Sequence, residues 1–203
     1  MVRQGDGGYK LQSPEEKSWE RERQGIELRP AAEHQLRREA LARLFEGVAV
    51  TVQNRRTFRV RVQLGDSVLT DGELAVVLED LDREEFDRLR ERSRESEREH
   101  VLFWAFEASS ETHRVATELH RSREMIRRYE GVSGSQELPA LLAEERRRQE
   151  RFERALRECL EADLLRGELF FRGSADQPSG SDAALAPRIA LLSKIPHVYP
   201  HLD

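Results

Sequence analysis

Two long stretches of the chain, residues 111–130 and 139–166, alternate apolar and charged positions with a helical period. In the first, Val115, Leu119, Ser122, Ile126 and Tyr129 recur at steps of four and three, which aligns them as a narrow stripe on one helical face. In the second, Leu142, Phe152, Leu156, Cys159 and Leu160 fall near a single face, interrupted by Glu145, Arg148 and Gln149. Each stripe needs an apolar partner, and the other supplies it. Between them Gly131, Ser133, Gly134 and Ser135 provide a helix stop and a turn, and Leu138-Pro139 restarts the helix with proline in its first turn. So short a connection predicts an antiparallel, coiled-coil-like hairpin, and the polar interruptions argue against a long dimeric coil.

The remainder of the chain switches period. After residues 1–12, read as loop or as a frayed strand around 9–11, Ser13-Pro14-Glu15-Glu16 reads as a capping box that opens a helix running to Gln24 and stopped by Gly25. Pro30 opens a second helix to Phe45, with Leu36, Ala40, Leu41, Leu44 and Phe45 on one face and Gly47 at its end. Strict alternation then predicts half-buried strands at residues 48–52 and 57–64, joined by a hairpin loop at 53–56 where Asn54 tolerates a positive φ. A looser connection through Gly65-Asp66 and Asp71-Gly72 leads to a third strand at 73–78.

Asp82 with Glu85 reads as a second capping box, before a helix that carries Phe86 and Leu89 and is almost wholly charged over 90–99. A strand at 101–106 follows, then Ser110 as the cap of the first hairpin arm. Gly167 stops the second arm, Leu169-Phe170-Phe171 is a short strand, 173–182 is a loop, and a last helix bent at Pro187 spans 183–194.

The expected fold is α+β: a small antiparallel β-meander packed with helices, plus the hairpin. Its segments are an N-terminal helical part (1–47), the sheet with its connecting helix (48–109), the hairpin (110–166), and a strand, loop and C-terminal helix (167–203). The chain closes on an apolar, proline-marked stretch without a polar tail, which predicts an interrupted domain.

Composition sharpens this picture. Charged residues make up 36% of the 203 positions, against about 25% in ordinary domains. With a mean hydropathy of −0.74, that predicts extended helices attached to a small core rather than a compact body. The net charge of −5 gives no global attraction to nucleic acid or to an anionic membrane. The first ten residues are polar and glycine-rich, unlike a signal peptide, and the apolar run at 101–106 is far short of the ~20 residues a membrane span needs. A cytoplasmic location without membrane contact is expected. The single cysteine, Cys159, excludes an internal disulfide and sits on an apolar face as a core thiol.

Candidate chemistry is sparse. No Gly-rich phosphate loop followed by Lys and Ser/Thr occurs, so ATP hydrolysis by this chain is not expected. His113 and His120 are two helical turns apart, too far to share one ion, and Pro200 disrupts the fourfold spacing of His197 and His201. Ser109 or Ser110 beside His113 suggests a nucleophile pair, but helix capping accounts for the serines. Trp19 and Trp104 read as packing residues. The candidate phosphate contacts are Arg121, Arg123, Arg127 and Arg128 on the first arm and Arg146, Arg147, Arg148 and Arg151 on the second. Interleaved glutamates can pair with them at helical spacing. Neither a cofactor nor a metal is expected.

The phrases YKLQSPEEKSWERERQGIELRP, RTFRVRVQLGD, ATELHRSREMIRRYEG, LLAEERRRQERFERAL, GELFFRG and KIPHVYPHLD, in this order, resemble the middle of the very large P-loop ATPases of bacterial phage-resistance systems, the BREX ATPase and its relative in phage growth limitation. The resemblance implies a region that follows an AAA+-like ATPase domain and precedes further helical domains. It implies a non-catalytic structural or coupling segment whose partners are an ATPase domain or other defence proteins. The family's nucleotide-binding residues have no counterpart here. The alternative expectation is a nucleic-acid-binding module that uses the arginine-rich arms on DNA.

Overall fold

A computed structural model describes residues 2–3, 9–10, 13–52, 56–98, 100–179 and 183. The elements are β1 (Val2–Arg3), β2 (Tyr9–Lys10), α1 (Pro14–Gln24), α2 (Pro30–Leu44), β3 (Ala49–Val52), β4 (Arg56–Leu64), β5 (Ser67–Thr70), β6 (Leu74–Asp80), α3 (Phe86–Arg92), β7 (Val101–Phe106), α4 (Ser110–Tyr129), α5 (Leu138–Leu165), β8 (Glu168–Phe171) and β9 (Ser174–Asp176). The fold is α+β. None of the described helices is long and apolar enough to cross a membrane.

The sheet order is β3-β4-β6-β7-β8-β9, with β5 also paired to β4. The antiparallel meander expected from the alternation extends only through β3, β4 and β5. β6 runs parallel to β4, and β7 parallel to β6. The reason lies at residues 71–73. Both β3 and β5 bond to one edge of β4, and the chain then passes across the strand so that Glu73 N donates to Arg59 O at 2.9 Å on the opposite edge. Gly72 permits this crossing, because a Cβ there would lie 2.3 Å from Arg59 O. Strand β5 replaces the looser connection expected between Gly65 and Gly72. At the other end, β9 pairs with β8 inside the expected loop at 173–182, turning through Gly173 at φ +78°.

Alternation along the central strands sorts side chains onto two faces. Leu74, Val76, Leu78, Leu102, Trp104, Phe106, Leu169 and Phe171 face α2, α4 and α5, and they join Leu36, Leu41, Phe45, Leu119, Leu156 and Leu160 in the main core. Val77, Phe103, Ala105 and Phe170 face α3 and meet Phe86 and Leu89. Trp104, fully buried, anchors the first set: its indole N–H donates to Leu164 O at 2.8 Å and its ring meets Phe45 edge-on. The main core draws residues from all four expected segments.

The two arms form the expected antiparallel pair. Ser109 meets Asp163, Arg123 meets Glu153 and Glu130 meets Arg146, so contacts climb one arm as they descend the other. The hairpin is not a pendant to the core, as the composition suggested. Its inner half, with Val115, Ala116, Leu119, Leu156, Leu160 and Leu164, lies in the main core. Its outer half carries Met125 and Leu138, which pack with Trp19 and Ile26.

Helix boundaries follow local chemistry with two corrections. Ser13 and Glu16 form the expected capping box. Ser109, not Ser110, caps α4, because Asp163 Oδ2 accepts from Ser109 N at 3.0 Å and holds that residue extended. Asp82 makes no side-chain cap. Its carbonyl instead accepts from Glu85 N in a single 3₁₀ turn, and α3 starts after it and ends at Arg92. The hairpin loop at 53–55, the C-terminal helix beyond Ala183, Pro187, His197 and His201 lie outside the described residues.

Candidate functional site

The eight arginines singled out on the arms divide between inter-helix contacts and the outer surface. Arg123 donates to Glu39 of α2 at 2.7 Å and to Glu153 of α5 at 2.8 Å, so one guanidinium staples three helices. Arg121 pairs with Glu118 and donates to the carbonyls of Gln24 and Ile26, holding the end of α1. Arg128 pairs with Glu22 at 3.0 Å, and Arg146 with Glu130 at 2.9 Å. Arg148 reaches Glu20, Glu144 and Glu145. Arg127 and Arg147 make only short-range pairs, with Glu124 and Glu144, and their side chains stay 73% and 77% exposed. Arg151 lies over the Phe152 ring at 4.9 Å. Thus most of the positive charge is balanced within the fold, and Arg127, Arg147 and Arg151 face outward.

Arg123's pairs act on their partners. Burial pushes the Glu39 and Glu153 carboxyls up, but Arg123, acting with Gln35 and Arg43 on Glu39 and with Gln149 and Arg43 on Glu153, outweighs it and holds both below the ordinary carboxylate value. Glu118 is held low in the same way by Arg23 and Arg121.

The densest polar site is one that periodicity missed. Arg23 of α1 is 3% exposed and Glu145 of α5 is fully buried, with Arg23 Nε 3.1 Å from Glu145 Oε1. Arg23 Nη1 also lies 2.8 Å from Glu118 Oε2, and Arg23 Nη2 donates to Glu118 O and Ser122 Oγ. Trp19 Nε1 donates to Glu145 Oε1 at 3.3 Å. The polar interruption in the second stripe is therefore where α1 docks. A carboxylate on an apolar seam, and a serine at the matching place in the first stripe, were the available signals. A charge on a seam requires a counter-charge, but nothing local identifies which arginine supplies it.

A cleft of about 570 Å³ opens at the C-terminal ends of β4, β6 and β7, between α2 and the β4-β5 turn. Strand ends of this kind are where open sheets with parallel strands hold ligands. Several of its charges are already paired. Arg37 bridges Asp80 and Glu33, Glu79 pairs with Arg92, and Asp80 accepts from Ala108 N at 3.0 Å. His113 Nδ1 lies 3.0 Å from Glu33 Oε1, turned to α2. No group of His, Cys, Asp and Glu among the described residues could hold a metal ion.

The serine beside His113 has other partners. Ser109 Oγ accepts from Thr112 N and donates to Asp163 Oδ2 at 3.3 Å, within a cluster that includes Thr112 Oγ1 and Arg166. Burial, with Glu111 and Asp163 nearby, pushes the Cys159 thiol up, which disfavours the reactive thiolate.

Comparison with protein-family models, with curated proteins and with solved structures finds no match.

Proposed function

We propose that the chain is a non-catalytic coupling segment of a phage-defence ATPase of the BREX kind, acting through protein contacts. The observation that carries the coupling role is the stapling of α2, α4 and α5 by Arg123, together with the inner half of the hairpin lying in the main core against the sheet, which supports their acting as one lever. A lever with its charges internally balanced transmits displacement from a neighbouring domain without chemistry of its own. The phage-defence setting rests on the sequence resemblance. Its test is phage plating on a host that carries the intact locus: Arg123→Ala combined with Leu156→Ala should abolish protection while the protein is still produced, and undiminished protection removes the proposal.

A second reading, contact with DNA, is favoured by the outward-facing Arg127, Arg147 and Arg151. It requires an affinity for duplex DNA that falls about tenfold or more between about 50 and 200 mM salt and weakens on Arg127→Glu or Arg147→Glu.

A further inference from the structure

Helix α1 is attached to the hairpin in an unusual manner. Its apolar contribution comes from Trp19 and, just past its end, Ile26. Otherwise the joint is polar: Arg23 with Glu145 and Glu118, Glu20 with Arg148, Glu22 with Arg128 and Tyr129, Arg121 donating to the Gln24 and Ile26 carbonyls, and Ser13 Oγ donating to Glu137 at 2.6 Å. Exposed ion pairs contribute about 0–1 kcal/mol each, and a buried pair roughly breaks even against apolar packing. A helix of 11 residues is also marginal by itself. An open cleft of about 200 Å³, lined by Glu20, Arg23, Glu118, Arg148, Arg151 and Phe152, brings solvent to the side of this joint.

Beneath α1, the hairpin presents a groove with a specific chemistry. Met125 and Leu138 are buried in its floor, Tyr129 packs tilted at 40° against Trp19 with ring centroids 4.9 Å apart, and the Glu145 carboxylate stands at its centre, sharing Arg23 with Glu118. The floor takes an aromatic ring, and the two carboxylates take an indole N–H and a guanidinium one helical turn further on.

We propose that α1 is the resident occupant of an exchangeable docking groove between α4 and α5, and that the groove accepts a partner helix carrying an aromatic residue and an arginine four positions apart. Charge complementarity selects this partner: the groove contributes two carboxylates, and a helix with no cation there would leave Glu145 buried with only the Arg148 it already shares with Glu20. Residues 25–29 tether α1 to α2, so its local concentration keeps the groove filled until a competitor arrives. For its biological role the proposal rests on the coupling reading, since it names the surface through which coupling would pass. Its physical test is independent of phage protection.

The test uses the full chain with Trp19→Ala and Arg23→Ala, and a fluorescent synthetic peptide of residues 13–29 read by anisotropy. The peptide should bind the variant about tenfold or more tighter than wild type, and a peptide with its own tryptophan and arginine replaced by alanine should bind about tenfold weaker. Equal binding to both proteins, no binding, or equal binding of both peptides overturns the proposal. Dimerisation of the variant without peptide assigns the groove to a second copy and overturns it as well. Should the variant not fold, hydrogen exchange on wild type decides. Amides of α1 should open about tenfold or more readily than those of the inner half of α5, with the difference growing in salt, and exchange of α1 only through global unfolding removes the idea.

Discussion

Arg23 Nε lies 3.1 Å from Glu145 Oε1, with side-chain exposures of 4% and 1%, across a separation of 122 residues. This pair joins α1 to α5, at the place where a buried carboxylate interrupts the apolar seam of the second arm.

Replacing Arg23 by Ala should release α1 rather than unfold the sheet. Breaking a buried pair costs about 3–5 kcal/mol when the surviving charge stays buried. Here Glu145 regains water once α1 leaves, so the loss is capped at the free energy of docking, a local opening that stays below the global stability. The chain has two tryptophans, Trp19 at 8% and Trp104 at 0% exposure. Acrylamide should therefore quench one of two in the variant and neither in wild type, with the sheet signal in circular dichroism unchanged.

Acidification should loosen the contacts made by Arg123 and Arg23. Glu39, Glu118 and Glu153 have folded values below the usual 4.5, since arginine partners, with Gln35 and Gln149 beside Glu39 and Glu153, outweigh the opposing effect of burial. A depressed folded value means that the unfolded chain takes up protons first as pH falls. The contribution is therefore complete above the unfolded value and lost as pH drops through the folded ones. The thermal midpoint should hold from about pH 7 to about pH 5.5 and fall below about pH 4.5, and Arg123→Gln should flatten that fall.

Core packing under the hairpin should be costly to remove. Leu156 is fully buried against the main core, so Leu156→Ala should lose about 2–5 kcal/mol in urea denaturation. Ile126→Asp with Leu156→Asp should lower both helix content and the thermal midpoint, because each puts a charge on the closed seam.

Two glycines should respond to different degrees. Gly72→Ala places a Cβ 2.3 Å from Arg59 O and 2.7 Å from the Val60 carbonyl carbon, both backbone atoms of β4. It should cost about 3 kcal/mol or more by forcing the crossing away from β4. Gly65 has φ +54° with open space around it, so Gly65→Asn should cost about 1 kcal/mol or less. Thermal melts of the two variants separate these effects.

The chain alone determined what depends on near neighbours. The capping box at Ser13, the proline-led starts of α2 and α5, the two apolar stripes, the alternating strands and the strand of Val101–Phe106 all arise from interactions within a few residues. Only the tertiary structure decided which edge of β4 receives β6, because direction follows from a backbone crossing at Gly72 that leaves no trace in the period. It also decided which carboxylate each arginine meets. Arg127 and Arg147 turn to glutamates three residues away, whereas Arg123 and Arg23 reach across to other helices. Charge attraction is nondirectional and many carboxylates compete, so the partner is set by which helices the core brings together.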